Sequence, residues 1–319
     1  MRSLRNISLV CSHCEGEAGD VILGGVLDKP ARTMHEKLVR FMNEQDDLRR
    51  LLLHEPRGRP EMSVVLVLPP CNPQADAGFL IMAPGDWVPM SGSNTICAVT
   101  VLLETGAISM NEPFTEQWEM QVSVLRQRPG LVYGLDQAVN IPGFGTILVD
   151  IAYGGQWYVI AQAKDLDIEI HTSNRDRLVD LGNRLKAAVL AQYMPTHPEN
   201  PAICGINNII ISEPLVDQDG VKSVKHTVIV TPGRLDRSPC GTGSSSRLAV
   251  LYARGQIRIG EKVTFRSVID TEFIGSIRGT QKVGNTDAVL PNIQGRAWIT
   301  GERKVLLDPD DPFQAGFLI

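Results

Sequence analysis

Apolar residues in this chain fall mainly in short runs broken by glycine, proline or acidic turns, a pattern of many strands and few helices. Residues 6–11 and 20–26 predict two short strands around the turn His13-Cys14-Glu15-Gly16-Glu17. Residues 34–53 predict a helix with Met34, Leu38, Phe41 and Met42 on one face. The runs 63–68 and 78–83 suit buried strands separated by Pro69-Pro70. Further on, the segment TILVDIAYGGQWYVIAQA places two apolar runs around Gly154-Gly155, which predicts a hairpin. Residues 174–193 carry Leu178, Leu181, Leu185 and Val189 at helical spacing. Strand-like runs follow at 207–212, 225–231 and 262–269, and the tail adds AVLP and AWIT before a polar LDPDDP turn.

Two segments share one layout. Ser91-Gly92-Ser93-Asn94 leads into ICAVTVLLET and Gly106; Cys240-Gly241-Thr242-Gly243 leads into SSSRLAVLYAR and Gly255. Ser91 and Cys240 each lie fifteen residues before the closing glycine, and Ile108 and Ile257 fall two residues beyond it. Residues 94–104 are apolar almost all round, so this helix is expected at a domain centre, with 244–254 as its counterpart. An internal repeat predicts two similar halves whose copied sites face one another. The boundary is expected near 140–146, giving a first half of 1–142 joined by 286–319 and a second half of 143–285. Strands grouped around one helix in each half favour an α+β or mixed-barrel class over a Rossmann arrangement.

Composition narrows the function. Of 319 residues, 43% are hydrophobic and 21% charged, with a formal net charge of -5, and no basic run appears. Nucleic-acid binding, which needs a Lys/Arg stripe, is therefore not expected. No apolar stretch approaches a membrane span, and the opening MRSLRNISLVCSHC is too weakly apolar for a secretory leader. The six cysteines are scattered without a disulfide framework, which points to a reducing, cytoplasmic setting. Cys11-Ser12-His13-Cys14 has CxxC spacing, but no second pair completes a zinc site, so no metal is expected.

Each SGSN/CGTG segment sits where a loop becomes a helix. The first N–H groups there have no intrahelical acceptor, and the helix dipole adds positive potential. Gly92 and Gly241 permit close approach to those amides, so each start can hold a carboxylate. The same field is expected to favour the thiolate of Cys240, making it a candidate general base. Asp236, four residues upstream, is a candidate partner for an ammonium group. The plainer reading is a turn followed by a buried cysteine; the matched spacing weighs against it.

These residues carry a resemblance. Asp236-Arg237-Ser238-Pro239-Cys240-Gly241-Thr242-Gly243 resembles the second motif of the proline racemase family, and Met90-Ser91-Gly92-Ser93-Asn94 its first. The His13–Glu17 turn, the run Val149-Asp150-Ile151-Ala152-Tyr153-Gly154-Gly155 and Gly295-Arg296-Ala297-Trp298 match as well. The resemblance covers essentially the whole chain. It implies a diaminopimelate-epimerase-like fold of two pseudo-symmetric halves, each a mixed barrel-like sheet around a central helix, with the site in the cleft between them. It implies no cofactor and a small proline-like amino acid as partner, and leaves homodimerisation open. Carried over by motif, the substrate carboxylate rests on the amides of Gly92, Ser93, Gly241 and Thr242; Asp236 holds the ring ammonium; Asn94 lines the pocket.

Two departures change the expected chemistry. Ser91 stands where the family usually has a cysteine, with Ser93 two places on, and the region 107–149 is shorter than expected. A hydroxyl is a far weaker acid and base than a thiol, so two-faced proton transfer is disfavoured. In trans-3-hydroxy-L-proline the α-hydrogen and the hydroxyl share one face, so Cys240 alone could take the proton and assist loss of water. The expected activity is therefore dehydration to Δ1-pyrroline-2-carboxylate, with Ser91 as a polar orienting group. The alternatives are 2-epimerisation of 4-hydroxyproline, racemisation of proline, and a non-catalytic amino-acid-binding relative.

Overall fold

Two distinct arrangements of strands organise the chain, a computed structural model that describes residues 4–109, 123–126, 128–231 and 233–318. Contacts divide it into one unit of Met1–Ser123 with Arg296–Ile319 and a second of Val124–Gly295. The division falls earlier than residue 142 because the strand Gly130–Ile141 pairs antiparallel with Gly145–Tyr153, as in Val139↔Ile147. Of the region 107–149, expected from the sequence to be short, residues 110–122 and 127 lie outside the described residues.

In the first unit the alternation of Arg5–Cys14 puts Ile7 and Leu9 on one face of a sheet. The described strands run Glu17–Ala18, Arg5–Cys14, Asp20–Gly24, Val64–Leu68, Gly78–Met82 and Trp87–Val88, with Ala297–Leu307 also paired to Arg5–Cys14. Helix α1 (Met34–Leu53) covers the Ile7/Leu9 face through Phe41, Leu48, Leu51 and Leu52. Met34 and Leu38 pack at its edge, whereas Met42 is exposed. Met42 lies at the margin of the face set by Met34, Leu38 and Phe41; the helix breaks period only farther on, at Gln45, whose φ and ψ are -144 and 31. Helix α2 (Gly92–Glu104) packs on Arg5–Cys14, Asp20–Gly24 and Ala297–Leu307. Nine of its thirteen residues are buried, which accounts for its nearly all-round apolar sequence.

The second unit closes on itself. Strands Asn208–Ser212, Trp157–Gln162, Gly145–Tyr153, Gly130–Ile141, Thr286–Gly295, Glu272–Val283, Lys262–Arg266 and Val221–Val230 pair in that order. Pairing of Val221–Val230 with Asn208–Ser212, as in Ile210↔Val228, completes a ring of eight. The hairpin expected at Gly154-Gly155 is present, with Trp157↔Tyr153 at its turn. Both faces of its second strand are buried: Trp157, Val159 and Ala161 join helix α3 (Arg175–Leu190) outside, while Tyr158 and Ile160 point inward. That double burial explains an unbroken apolar run where a one-sided strand would alternate.

Helix α4 (Gly241–Ala253) occupies the ring's interior, and every residue from Gly241 to Leu251 is buried. Its first turns are small, and their hydroxyls bond internally: Ser245 Oγ donates to Gly241 O at 2.8 Å and Ser246 Oγ to Gly243 O at 2.7 Å. The strand turn meets the helix backbone directly. A Cβ on Gly154 would lie 2.3 Å from Thr242 O and 2.4 Å from Ser246 N, so only glycine fits there. Among the described residues, no helix is long and apolar enough to cross a membrane.

Candidate active site

Cys240 caps the start of α4 with φ at 62, a left-handed conformation that a residue with a Cβ seldom adopts. The turn is held from three sides. Ser238 Oγ accepts the Cys240 N–H at 3.1 Å and itself donates to Asp236 Oδ1 at 2.9 Å. The Ser238 N–H reaches the same Asp236 oxygen at 2.9 Å. Pro239 O accepts from His226 Nε2 at 2.6 Å and from Ser244 Oγ at 3.0 Å. His226 is wholly buried, and desolvation pushes its imidazole down to about 4, so it is neutral and must carry its proton on Nε2.

The thiol faces Tyr158, whose Oη lies 3.3 Å from Cys240 Sγ and 2.6 Å from Thr242 Oγ1. Thr242 Oγ1 is 3.8 Å from the sulfur. Helix start and dipole favour a thiolate here, and the sequence predicts a lowered pKa. The structure corrects that: burial, and then the Asp236 carboxylate, push the thiol up to about 12. Hydrogen bonds from Tyr158, the Gly243 N–H and Thr242 oppose the rise without overcoming it. Desolvation wins because Cys240 is only 8% exposed.

Ser91 caps α2 in an extended conformation, φ -145 and ψ 122, with its Oγ making no cap bond to the helix backbone. The hydroxyl is engaged sideways instead. Asn94 Nδ2 donates to Ser91 Oγ at 2.9 Å, and Ser93 Oγ lies 3.3 Å away. Asn94, expected from the motif to line the pocket, fixes the orientation of Ser91. Gly19 makes room for it, since a Cβ there would sit 2.8 Å from Asn94 Oδ1.

Hydrogen bonding within α2 begins with Thr95 N–H on Ser91 O at 3.1 Å, and within α4 with Ser244 N–H on Cys240 O at 2.8 Å. The amides of Gly92 and Ser93, and of Gly241 and Thr242, thus precede the first intrahelical bond, as carboxylate donors must. Each unit gathers its own set: Ser91, Gly92, Ser93 and Asn94 in one, Asp236, Cys240, Gly241 and Thr242 in the other. Sequence reasoning passed over Tyr158, Ser238 and His226. Ser238 stood inside the quoted motif; Tyr158 and His226 are hidden in strands, where only the ring brings Tyr158 against Cys240 and His226 against Pro239. Among the described residues, no group of His, Cys, Asp and Glu side chains could hold a metal ion.

The model of the proline racemase family matches residues 9–318. The chain belongs to the proline racemase family. It is similar to a hydroxyproline epimerase from Agrobacterium vitis, solved with bound trans-4-OH-L-proline, at 36% identity and a TM-score of 0.90, covering 100% of this chain and 96% of that one. A probable proline racemase from Agrobacterium radiobacter K84, with bound carbonate, matches at 36% identity and 0.89, covering 98% and 96%. A Bacillus anthracis phenazine biosynthesis protein of the PhzF family shares the fold, at 11% identity and 0.59 over 96% and 100%. The diaminopimelate-epimerase-like α+β fold and membership of a racemase and epimerase enzyme family are thereby established.

Proposed function

We propose that this member of the proline racemase family moves the α-proton of a hydroxyproline, and that its main reaction is 2-epimerisation. In this reading α2 and α4 serve one substrate, Cys240 at one face of Cα and Ser91 at the other. The carboxylate is held by the amides of Gly92, Ser93, Gly241 and Thr242, and the ring ammonium by Asp236.

The observation that carries the reading is the hydrogen bond from Asn94 Nδ2 to Ser91 Oγ. A hydroxyl that accepts from an amide keeps its own proton to give. The same N–H stabilises the negative charge that develops on the oxygen as the proton leaves. Ser93 Oγ, at 3.3 Å, offers a route by which the proton is replaced. Asn94 thus makes Ser91 a better acid than an isolated serine. Similarity to an epimerase holding trans-4-OH-L-proline supports the same assignment.

On the other face the thiol of the free enzyme is protonated at neutral pH, since burial and Asp236 both raise its pKa. A substrate ammonium at Asp236 cancels the second of these causes, so binding itself promotes the thiolate. Cys240 then removes the α-proton. In the opposite direction its thiol returns one.

Dehydration of trans-3-hydroxy-L-proline is the second reading. It is favoured by the single thiol, braced by Tyr158 Oη at 3.3 Å, because one group suffices when the α-hydrogen and the hydroxyl share a face. Proton NMR in D2O with trans-4-hydroxy-L-proline and, separately, trans-3-hydroxy-L-proline decides. Deuterium at Cα with a cis product from the first supports epimerisation. Pyrroline-2-carboxylate from the second, with no cis product from the first, replaces it by dehydration. Absence of exchange with both removes the hydroxyproline assignment.

A further inference from the structure

Arg247 lies on α4, seven residues beyond Cys240 and roughly 10 Å farther along the helix axis. It is buried in the interior of the ring, only 3% exposed, and its Nε has no hydrogen-bond partner among the described residues. A buried guanidinium whose Nε–H is unmet is costly, because that donor has lost water and gained no partner. Burial lowers its pKa to about 10, which leaves it charged at neutral pH. Arg247 lines a cavity of about 370 Å³ at the end of the ring away from Cys240.

The other groups around that cavity explain what the donors are for. Asp136 and Asp150, the acids nearest the helix end, are spent on Arg254. Arg254 Nη2 donates to Asp136 Oδ1 at 2.7 Å and to Asp150 Oδ1 at 2.6 Å, and Nη1 to Asp136 Oδ2 at 3.2 Å. Asp150 Oδ1 also accepts the Asp136 N–H at 3.0 Å. Its carboxylate attracts Arg247 through space but makes no hydrogen bond to it. Lys164, exposed at the mouth, and the carboxamides of Gln162 and Gln256 line the same space, with Asp165 at the rim.

We propose that this cavity binds a small carboxylate or oxyanion, seated on the Arg247 guanidinium with Lys164 closing over it. A planar two-donor fork matches two anionic oxygens, which a point cation would not orient. Three acids and three bases surround the space, so hydrogen bonding supplies the affinity rather than net charge. A dissociation constant on the order of 1 mM is expected for a monoanion. Bound there, the anion ties α4 to the ring at the end opposite its catalytic turn and stabilises the folded unit by mass action.

Isothermal titration and thermal unfolding of the full chain, with sodium acetate and with inorganic phosphate against sodium chloride at equal ionic strength, test this. A saturable rise in unfolding temperature is expected, abolished in Arg247→Met and with binding weakened at least about threefold in Lys164→Ala. Saturation by acetate identifies a carboxylate ligand, and saturation by phosphate alone identifies a tetrahedral oxyanion; both support the site. Lys164 is exposed, so its variant decides the matter if Arg247→Met does not fold. A binding constant unchanged in Lys164→Ala assigns the anion to the helix starts around Cys240 and overturns the proposal. So does a crystal grown in acetate that shows water alone on Arg247.

Discussion

Tyr158 Oη stands 3.3 Å from Cys240 Sγ, inside the eight-stranded ring and eighty-two residues away in sequence. The phenol is fully buried, and burial together with the neighbouring thiol pushes its own pKa well above the usual range, so it remains a donor. Its hydrogen bond favours the thiolate over the thiol. Tyr158→Phe should therefore raise the Cys240 pKa further and slow alkylation by iodoacetamide at pH 9 by about 3- to 10-fold, the worth of one hydrogen bond. An unchanged alkylation rate means the phenol serves Thr242 alone, at 2.6 Å.

Asp236 acts on the same thiol with the opposite sign, because its carboxylate raises the Cys240 pKa. Asp236→Asn should lower that pKa, read as thiolate absorbance at 240 nm during an alkaline titration. The variant should also bind substrate more weakly, since the ammonium loses its counter-charge. Thiolate forming more readily while KM rises is the signature expected; a pKa that stays put denies the electrostatic coupling.

Asn94→Ala removes the donor at 2.9 Å from Ser91 Oγ. Exchange of the α-hydrogen initiated by Cys240 should continue, whereas formation of the opposite epimer should fall about 10-fold or more. Following deuterium incorporation and epimer ratio in one D2O experiment separates the two faces. Equal loss of both would make Asn94 a structural residue and not a positioning one.

Stability should respond to pH at both extremes. Burial pushes the thiols of Cys97 and Cys240 up to about 12, so the folded chain keeps them neutral while the unfolded chain ionises them from about 8.5. The stabilisation is fully present below that lower value and is lost as pH rises to about 12. The slope is at most about 1.4 kcal/mol per pH unit for each thiol. On the acid side, His226 is held near 4. Its contribution is intact above about 6.5 and is lost as pH falls to about 4. Urea unfolding midpoints measured across pH check both limbs, and Cys97→Ala should flatten the alkaline one.

Local pattern made much of this legible. Spacing of Leu178, Leu181, Leu185 and Val189 marked α3, and the Gly154-Gly155 interruption marked the hairpin. The repeated layout around Ser91 and Cys240 located two buried helix starts. Those features depend on residues close together in sequence, where period and turn chemistry act directly. Met42 shows the limit: its spacing put it with the buried face, but it lies at the margin of that face and is exposed, because packing depth and not period decides there.

The sequence by itself determined the element types, the two motif-bearing helices and the family, because helical period, glycine turns and a contiguous eight-residue motif are local properties. Tertiary structure alone decided the state of the chemistry. Closing eight strands around α4 buries Cys240 until desolvation outweighs the helix dipole, brings Tyr158 onto its sulfur, and buries Arg247 with its Nε lacking a hydrogen-bond partner among the described residues. Each is a consequence of lost solvent and long-range contact, and neither can be read from residues adjacent in the chain.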